Sequence, residues 1–205
     1  MGAEIMKLFQ IHSVSFNFAK VQRSSIRPSI PLIIILLATT LIIPSFASAE
    51  TRKEYYQSGK LKSEGNYVRA IKEGIHKEFH ENGKLWLELN YKNGKLEGVK
   101  KMYHENGKLW MEGNYKNGQL EGVSKMYQKN GKLSTEANFK NGIFDGLYLG
   151  YYNNKLNDEF YFKNGKREGI QKSYHENGKL RVEENYKNGT MISRKVYDES
   201  GKLIN

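Results

Sequence analysis

The sequence contains no cysteine, and this absence excludes several kinds of chemistry. Disulfide bonds, thiolate zinc sites, cysteine nucleophiles and a lipidated cysteine all need a residue that the chain does not have. Proline is almost as scarce, because the three prolines, Pro28, Pro31 and Pro44, all precede residue 50. The stability of the remaining chain must therefore come from packing alone.

Long hydrophobic runs are confined to the first fifty residues. Basic residues up to Arg27 precede an apolar run over 31–43, and small residues follow as far as Ala49. This order is typical of a signal peptide over 1–49, cleaved before Glu50. The apolar run is shorter than the roughly 20 residues that span a bilayer, but extended over 31–49 it would suit an uncleaved N-terminal anchor. Both interpretations predict that residues 50–205 are exported, as a periplasmic, secreted or envelope-associated protein.

The charge of the remaining chain is high but dispersed. Residues 50–205 hold 29 of the 33 lysine and arginine residues and 21 of the 22 acidic residues, a net charge of about +8. Such a charge attracts anionic partners at low salt. The lysines alternate with glutamates and form no single run, so the pattern disfavours nucleic acid as the partner.

Glycine recurs in three series that share a step of 24 or 23 residues, with one member of the first series missing. The series are Gly59, Gly83, Gly107, Gly131, Gly178 and Gly201; Gly94, Gly118, Gly142, Gly165 and Gly189; and Gly74, Gly98, Gly122, Gly146 and Gly169. A fixed period in this range indicates a stacked repeat array. We place about six units over 50–205.

Each unit is predicted to form two short strands joined by a turn. In the unit that starts at Gly98, the segment 99–104 leads to Asn106-Gly107, and 109–115 returns. Asn-Gly between alternating segments is the leading signal for a two-residue type I′ turn. A second Asn-Gly turn links each unit to the next. The predicted fold is all-β: an elongated single-layer antiparallel sheet of tandem β-hairpin repeats, with a signal peptide before it.

The length of the turn decides which side chains face each other. A two-residue turn would place Tyr103 opposite Trp110 and Lys101 opposite Glu112, whereas a three-residue loop would place Tyr103 opposite Leu109. The two-residue count also predicts equivalent Lys–Glu pairs in three other units. These pairs are Lys77–Glu88, Lys125–Glu136 and Lys172–Glu183.

The repeat motif resembles that of a known family. It reads Val/Ile-x-Lys-x-Tyr-His-Glu-Asn-Gly-Lys-Leu-x-x-Glu-x-x-Tyr-Lys-Asn-Gly-x-x-Glu-Gly and is nearly complete at 75–98, 99–122 and 170–189. Over about 53–205 the chain is similar to the variant MORN repeat of bacterial arrays. Three departures stand out: Arg69-Ala70 and Asn153-Asn154 replace Asn-Gly, and Leu149 replaces the lysine of the motif.

The resemblance implies a scaffold for protein contacts. Many variant-MORN proteins are assigned to the YwqK-type antitoxins of toxin–antitoxin systems, and other MORN proteins are linked to membrane junctions and phosphoinositide lipids. Because fold does not fix function, these links are expectations that the surface of this chain must support.

Histidine and glutamate recur at equivalent positions, and this repetition argues against a metal or catalytic site. The histidines before Glu-Asn-Gly would lie about 10 Å apart in successive units, too far for one metal ion. The recurring glutamates share one environment, whereas acid–base catalysis needs two carboxyl groups in different ones. We therefore expect no catalytic residue, cofactor or metal. The positions concerned are His80, His104 and His175, and Glu88, Glu112, Glu136, Glu159 and Glu183.

Aromatic and basic residues form the candidate partner-binding surface. Strips of this composition suit protein hot spots or sugar stacking, with cross-strand packing as the alternative. The tryptophan position becomes Ser134, Asn157 and Arg181 in later units, which would direct a partner to the N-terminal half. The candidate residues are Trp86, Trp110, Tyr103, Tyr127, Lys101 and Lys125.

The sequence thus predicts an exported, non-enzymatic, monomeric scaffold that binds a protein. A toxin that it neutralises is the more specific hypothesis for the partner. A module that binds anionic lipid or cell-wall polymer through its lysines is the alternative, and steep loss of binding with added salt would favour it.

Overall fold

The computed structural model describes residues 48–205, which form strands and turns without a helix. The predicted signal peptide or anchor over 1–49 lies almost wholly outside the described residues. Within 48–205 there is accordingly no helix that could cross a membrane.

Fifteen strands make up a single antiparallel sheet. The first eight are β1 (Ala49–Tyr55), β2 (Leu61–Val68), β3 (Ile71–Phe79), β4 (Leu85–Lys92), β5 (Lys95–Leu96), β6 (Gly98–Tyr103), β7 (Leu109–Lys116) and β8 (Gln119–Tyr127). The other seven are β9 (Leu133–Lys140), β10 (Ile143–Tyr152), β11 (Lys155–Lys163), β12 (Lys166–Arg167), β13 (Gly169–Tyr174), β14 (Leu180–Lys187) and β15 (Thr190–Val196).

The strands follow one another across the sheet in chain order. The two short strands, β5 and β12, pair only with the strand before them, while β1 and β15 form the two edges. Each unit therefore contributes one hairpin and pairs with the units before and after it. The predicted all-β class and the single antiparallel sheet of tandem hairpins are confirmed.

The turn within five of the six hairpins differs from the prediction; the turn between β10 and β11 is the exception. The carbonyl of His104 accepts the N–H of Gly107 at 2.7 Å, and the N–H of His104 donates to the carbonyl of Lys108 at 2.9 Å. Gly107 has a φ of +87°, whereas Asn106 is not among the residues with positive φ. This is a type I turn centred on Glu105 and Asn106 and closed by a left-handed glycine, so the loop has three residues. The predicted type I′ turn at Asn106-Gly107 is wrong.

A bulge then restores the predicted register. Tyr103 pairs with Leu109, but Lys101 pairs with Glu112, because Trp110 is an extra residue between the two pairs. The expected Tyr103–Trp110 pair is therefore wrong, and the Lys101–Glu112 pair is confirmed. The three other predicted Lys–Glu pairs are confirmed as well. The residues at the equivalent bulges are Lys62, Trp86, Ser134, Asn157 and Arg181.

The type I′ turn occurs instead in the linkers between units. Asn117 and Gly118 have φ values of +53° and +84°, and the flanking residues Lys116 and Gln119 pair directly. Arg69-Ala70 adopts the same conformation, with φ values of +51° and +62°. Asn suits this turn because it tolerates the left-handed region, and Gly because it has no Cβ.

A carboxylate from the preceding unit fixes each of the five Asn-Gly linker turns. In the third unit, Glu97 Oε2 accepts the backbone N–H of Asn117 at 2.8 Å. The backbone N–H of Asn117 lies in the turn and cannot pair with a strand, so the carboxylate satisfies it. This need accounts for the acidic residue that precedes each glycine of the third series. The equivalent pairs are Glu73–Asn93 at 2.7 Å, Glu121–Asn141 at 2.9 Å, Asp145–Asn164 at 3.0 Å and Glu168–Asn188 at 2.7 Å.

One face of the sheet, here called the packed face, contains the buried side chains. Residues paired directly across an antiparallel sheet share a face, so the pairs His76–Leu89 and Lys100–Gly113 place both polar residues on it. The buried hydrophobic residues are Leu87, Leu89, Met111, Tyr115, Leu120, Ala137, Phe139 and Phe144. The buried polar residues are His76, Lys100, Ser124 and Gln171.

We expect Tyr115→Phe to stabilise the protein. The Tyr115 hydroxyl is buried without a hydrogen-bond partner among the described residues, and burial raises the pKa of Tyr115 to about 12. Phenylalanine already occupies the equivalent positions 139 and 162. Removing the unpaired hydroxyl should raise the free energy of unfolding by about 1 kcal/mol.

The pH dependence supplies a second readout for this variant. Because the pKa of Tyr115 is raised on folding, its contribution is complete below pH 10, the ordinary tyrosine pKa, and is lost as the pH rises towards 12. Urea unfolding at pH 8 and pH 11 should therefore show a smaller alkaline loss for Tyr115→Phe than for the wild type. An equal alkaline loss in both proteins would contradict the assignment.

Candidate functional site

The face opposite the packed face carries a row of alternating charges, and we call it the lysine face. Lys101 pairs with Glu112 on one side and with Glu88 on the other, and this alternation continues across the sheet. Leu149 interrupts it, between Glu136 and Glu159. In strand order the row is Lys53, Glu64, Lys77, Glu88, Lys101, Glu112, Lys125, Glu136, Leu149, Glu159, Lys172, Glu183 and Lys195.

Some members of this row form ion pairs at close range. The Lys125 Nζ lies 3.3 Å from a Glu136 carboxylate oxygen, and the Lys195 Nζ lies 3.1 Å from Glu183. Exposed pairs of this kind contribute little free energy, roughly 0.2–1 kcal/mol each, so their main effect is to fix the register.

An exposed apolar row runs beside the charged row. Each of its members lies two residues before a member of the charged row on the same strand. Side chains two residues apart on a strand point to the same face of the sheet, so both rows share the lysine face. Adjacent members belong to successive units, which spaces them at about 10 Å. The row consists of Ile75, Val99, Val123, Leu147 and Ile170, all exposed.

The neighbouring positions invert the usual pattern of buried apolar and exposed polar residues. Ile75 is 53% exposed and His76 only 6%; Val99 is 49% exposed and Lys100 only 8%. The same inversion holds at Val123-Ser124 and at Ile170-Gln171. The Val/Ile position of the motif was identified in the sequence but was assigned no role. Its recurrence beside a polar residue is the signal that could have revealed the exposed apolar row.

A tyrosine row flanks the charged row on its other side. The Tyr127 hydroxyl donates to a Glu112 carboxylate oxygen at 3.0 Å, and Tyr174 makes the same bond to Glu159 at 2.9 Å. Two causes raise the pKa of Tyr127 and of Tyr174 to about 12: burial is the larger, and the hydrogen bond to glutamate is the second. Burial followed by Glu88 and Glu112 also raises the pKa of Tyr103. These hydroxyls therefore remain protonated at neutral pH, and those of Tyr127 and Tyr174 orient the carboxylates to which they donate.

The two tryptophans lie at bulges, next to the hairpin turns. The ring centre of Trp86 is 6.2 Å from that of His80, and the ring centre of Trp110 is 5.9 Å from that of His104. Both indoles are half-buried. The structure thus brings each tryptophan to the histidine of its own hairpin and places Tyr103, Tyr127, Lys101 and Lys125 on the lysine face. Their role in binding a partner stays a prediction.

The histidines connect successive hairpin turns. His104 Nε2 donates to the carbonyl of Tyr127 at 3.0 Å, and His80 and His175 donate to the carbonyls of Tyr103 and Tyr197. Residues 48–205 contain no cluster of three or more potential ligands that could hold a metal ion. This role of the histidines in joining successive hairpin turns was not predicted from the sequence, although the recurring His-Glu-Asn-Gly-Lys segment is a signal of it.

Asparagine and lysine from the same segment reinforce these contacts. Asn106 Nδ2 donates to the carbonyl of Lys129 at 2.7 Å, and Lys108 Nζ donates to the carbonyl of Asn130 at 2.8 Å. The turns of neighbouring units are thus hydrogen-bonded to one another, which aligns the rows of the lysine face.

Comparison with known proteins identifies the repeat. A family model described as the MORN repeat variant matches residues 51–69, 72–93, 96–117, 120–141 and 167–188, which together cover more than half of the chain. The matches leave out 142–166, the stretch that contains Leu149 and the short Asn153-Asn154 turn. No curated protein matches the sequence. The chain belongs to the MORN repeat variant family.

Proposed function

We propose that residues 48–205 form a non-enzymatic scaffold that binds a protein through the lysine face. The inverted burial pattern carries this proposal, because apolar side chains are exposed at the same position of five hairpins, and in four of them the polar side chain that follows is buried. Aligned exposed apolar groups with a polar border are typical of protein interaction surfaces. MORN repeats are in general protein-binding or lipid-binding modules without enzymatic activity, which agrees with this function.

The partner lies along the apolar row and contacts the residues that border it. Lys101 and Lys125 supply charge on one side, and Tyr103 and Tyr127 extend the surface towards Trp86 and Trp110. Both tryptophans belong to the N-terminal half, so the strongest contacts fall there. The partner is a toxin that this exported protein neutralises; the signal-peptide pattern of residues 1–49 and the resemblance of the repeat motif to that of variant-MORN antitoxins support this proposal.

Exposed lysines at the linker turns favour a second candidate function. The first residue of each Lys-Asn-Gly turn is exposed, and these lysines form no ion pair within the described residues. An anionic lipid or cell-wall polymer would bind along this border, which we call the linker edge. Its lysines are Lys92, Lys116, Lys140, Lys163 and Lys187.

Affinity capture with paired variants tests the protein-binding function. The full chain, tagged at its C-terminus, should retain a stoichiometric protein from the native host at physiological salt. Val99→Glu combined with Val123→Glu should reduce the recovered partner at least about tenfold, because two charges would interrupt the apolar row. Ile192→Glu is the matched control, since Ile192 is exposed but lies outside the row.

Two results would count against this function. Equal recovery by the double variant and the control would show that the apolar row is not the binding surface. Recovery of only acidic lipid or polymer, lost between low and physiological salt, would favour the linker edge instead. Circular dichroism of each variant should show the same strand content as the wild type.

A further inference from the structure

A cleft of about 580 Å³ lies between two neighbouring hairpin turns in the C-terminal half. One turn joins β10 to β11 and the other joins β13 to β14. Tyr152 and Asn157 line it from the first hairpin, and Tyr174, Glu176 and Arg181 line it from the second. Its volume is in the range of pockets that bind small molecules.

Two departures from the repeat create this space. The β10–β11 turn is one residue shorter than the others, because Asn153 and Asn154 form a two-residue turn between Tyr152 and Lys155. Asn157 also occupies the bulge that holds Trp86 and Trp110 in the second and third hairpins. The shorter turn and the small Asn157 side chain leave this volume open between the two hairpin turns.

The walls of the cleft are polar and largely fixed. The Tyr174 hydroxyl is held by Glu159, and His175 Nε2 donates to the Tyr197 carbonyl at 2.9 Å. Asn157 Nδ2 donates to Asp158 at 2.7 Å. Because these groups are already oriented, binding a ligand would cost little side-chain entropy.

Two groups remain available to a ligand. Tyr152 is 56% exposed, whereas the equivalent histidines of the regular units are turned to the next hairpin. The Arg181 guanidinium is exposed and has no hydrogen bond or ion pair recorded among residues 48–205. The lining carries a net negative charge, because Arg181 is outnumbered by Glu176 and Glu199.

We propose that this cleft binds a neutral oligosaccharide, with a disaccharide filling it. An exposed tyrosine ring offers a flat apolar surface to the C–H face of a pyranose. Asn, Arg and Glu side chains offer the paired donors and acceptors that sugar hydroxyls require. The net negative charge of the lining disfavours an anionic sugar. This site is separate from the apolar row and does not depend on the proposed protein partner.

Filling the cleft with the residue of the regular repeat tests this inference. The full chain would be titrated by calorimetry and by saturation-transfer NMR with cellobiose, maltose and N,N′-diacetylchitobiose. At least one sugar should bind with a millimolar Kd. Asn157→Trp should weaken that binding at least about tenfold, because the indole would occupy the sugar's volume. Ser134→Trp, which places an indole at the equivalent bulge of the β8–β9 hairpin, is the control and should leave the Kd unchanged.

A second variant keeps the test possible if the first variant does not fold. Should Asn157→Trp lose the strand signal in circular dichroism, Arg181→Leu takes its place and should weaken binding similarly. Absence of binding by all three sugars at about 20 mM would overturn the proposal, since even weak sites bind measurably there. Unchanged binding in the folded variant, or binding of a neutral dipeptide such as alanyl-alanine in place of the sugars, would also overturn it.

Discussion

Gly65→Ala is expected to lower the free energy of unfolding by about 3 kcal/mol, at the upper end of the range for overpacked cores. A Cβ at this position would lie 1.9 Å from His76 Nδ1 and 2.3 Å from Cε1. The ring cannot retreat, because it packs between Tyr67 and Tyr91, with centroid distances of 5.1 and 4.9 Å. His76 Nε2 also lies 2.8 Å from the Asn66 carbonyl, to which it donates. Urea unfolding would measure the loss.

The repeat supplies a natural rescue for this variant. Two units further on, the equivalent pair is Gly113–Ser124, and a Cβ on Gly113 would lie 3.1 Å from Ser124 Oγ. The double variant Gly65→Ala, His76→Ser places this smaller side chain opposite the new Cβ and should recover much of the loss. The single variant His76→Ser completes a double-mutant cycle, which separates the steric conflict between the two side chains from the effect of each substitution alone. A free energy of unfolding for Gly65→Ala within about 0.5 kcal/mol of the wild-type value would contradict this packing, because effects that small are typical of surface substitutions.

Replacing Arg69-Ala70 by Asn-Gly is expected to stabilise the protein by about 1–2 kcal/mol. Both residues have positive φ, +51° and +62°, in a turn that most other linkers build from Asn-Gly. Left-handed non-glycine residues cost roughly 1–3 kcal/mol each, partly offset here by the unfolded-state entropy that glycine adds. Thermal and urea unfolding of the double variant would measure the gain.

The reverse exchange in another linker is the matched control. Asn117→Arg with Gly118→Ala installs the strained pair at a turn where a Cβ on Gly118 meets no atom within 4 Å. Its loss of stability should therefore report backbone strain and match the gain at 69–70. If the exchange at 69–70 has no effect while the one at 117–118 destabilises, turn strain is not what distinguishes the first linker.

The repeat period and the strand class could be read from the sequence, because each depends on spacing alone, whereas the turn types could not. The Lys–Glu register was predicted correctly only because the third loop residue and the bulge at Trp110 compensate for each other. Asn-Gly occurs in both turns, yet Asn117 is left-handed and Asn106 is not. What decides between them is the number of residues in the loop, two between Lys116 and Gln119 but three between His104 and Lys108. The bulge at Trp110 lies outside the loop and compensates for its third residue, and propensities do not reveal it.

The binding surface was only partly predictable. Lys101, Lys125, Tyr103 and Tyr127 were assigned to a partner-binding surface from composition, and they do lie on one face. The apolar row escaped prediction, because a strand with Val99 beside Lys100 suggests a buried valine and an exposed lysine. Small residues such as Gly113, opposite Lys100, make room for polar side chains on the packed face, and no strand pattern shows this in isolation.

Lysine footprinting of the captured complex tests the central claim most directly. The complex and the free chain would be acetylated briefly, and the modified lysines quantified by mass spectrometry. A partner on the lysine face should protect Lys77, Lys101 and Lys125 while leaving Lys92 and Lys116 of the linker edge as reactive as in the free chain. Protection of the linker edge, with the lysine face unchanged, would contradict the proposed binding surface.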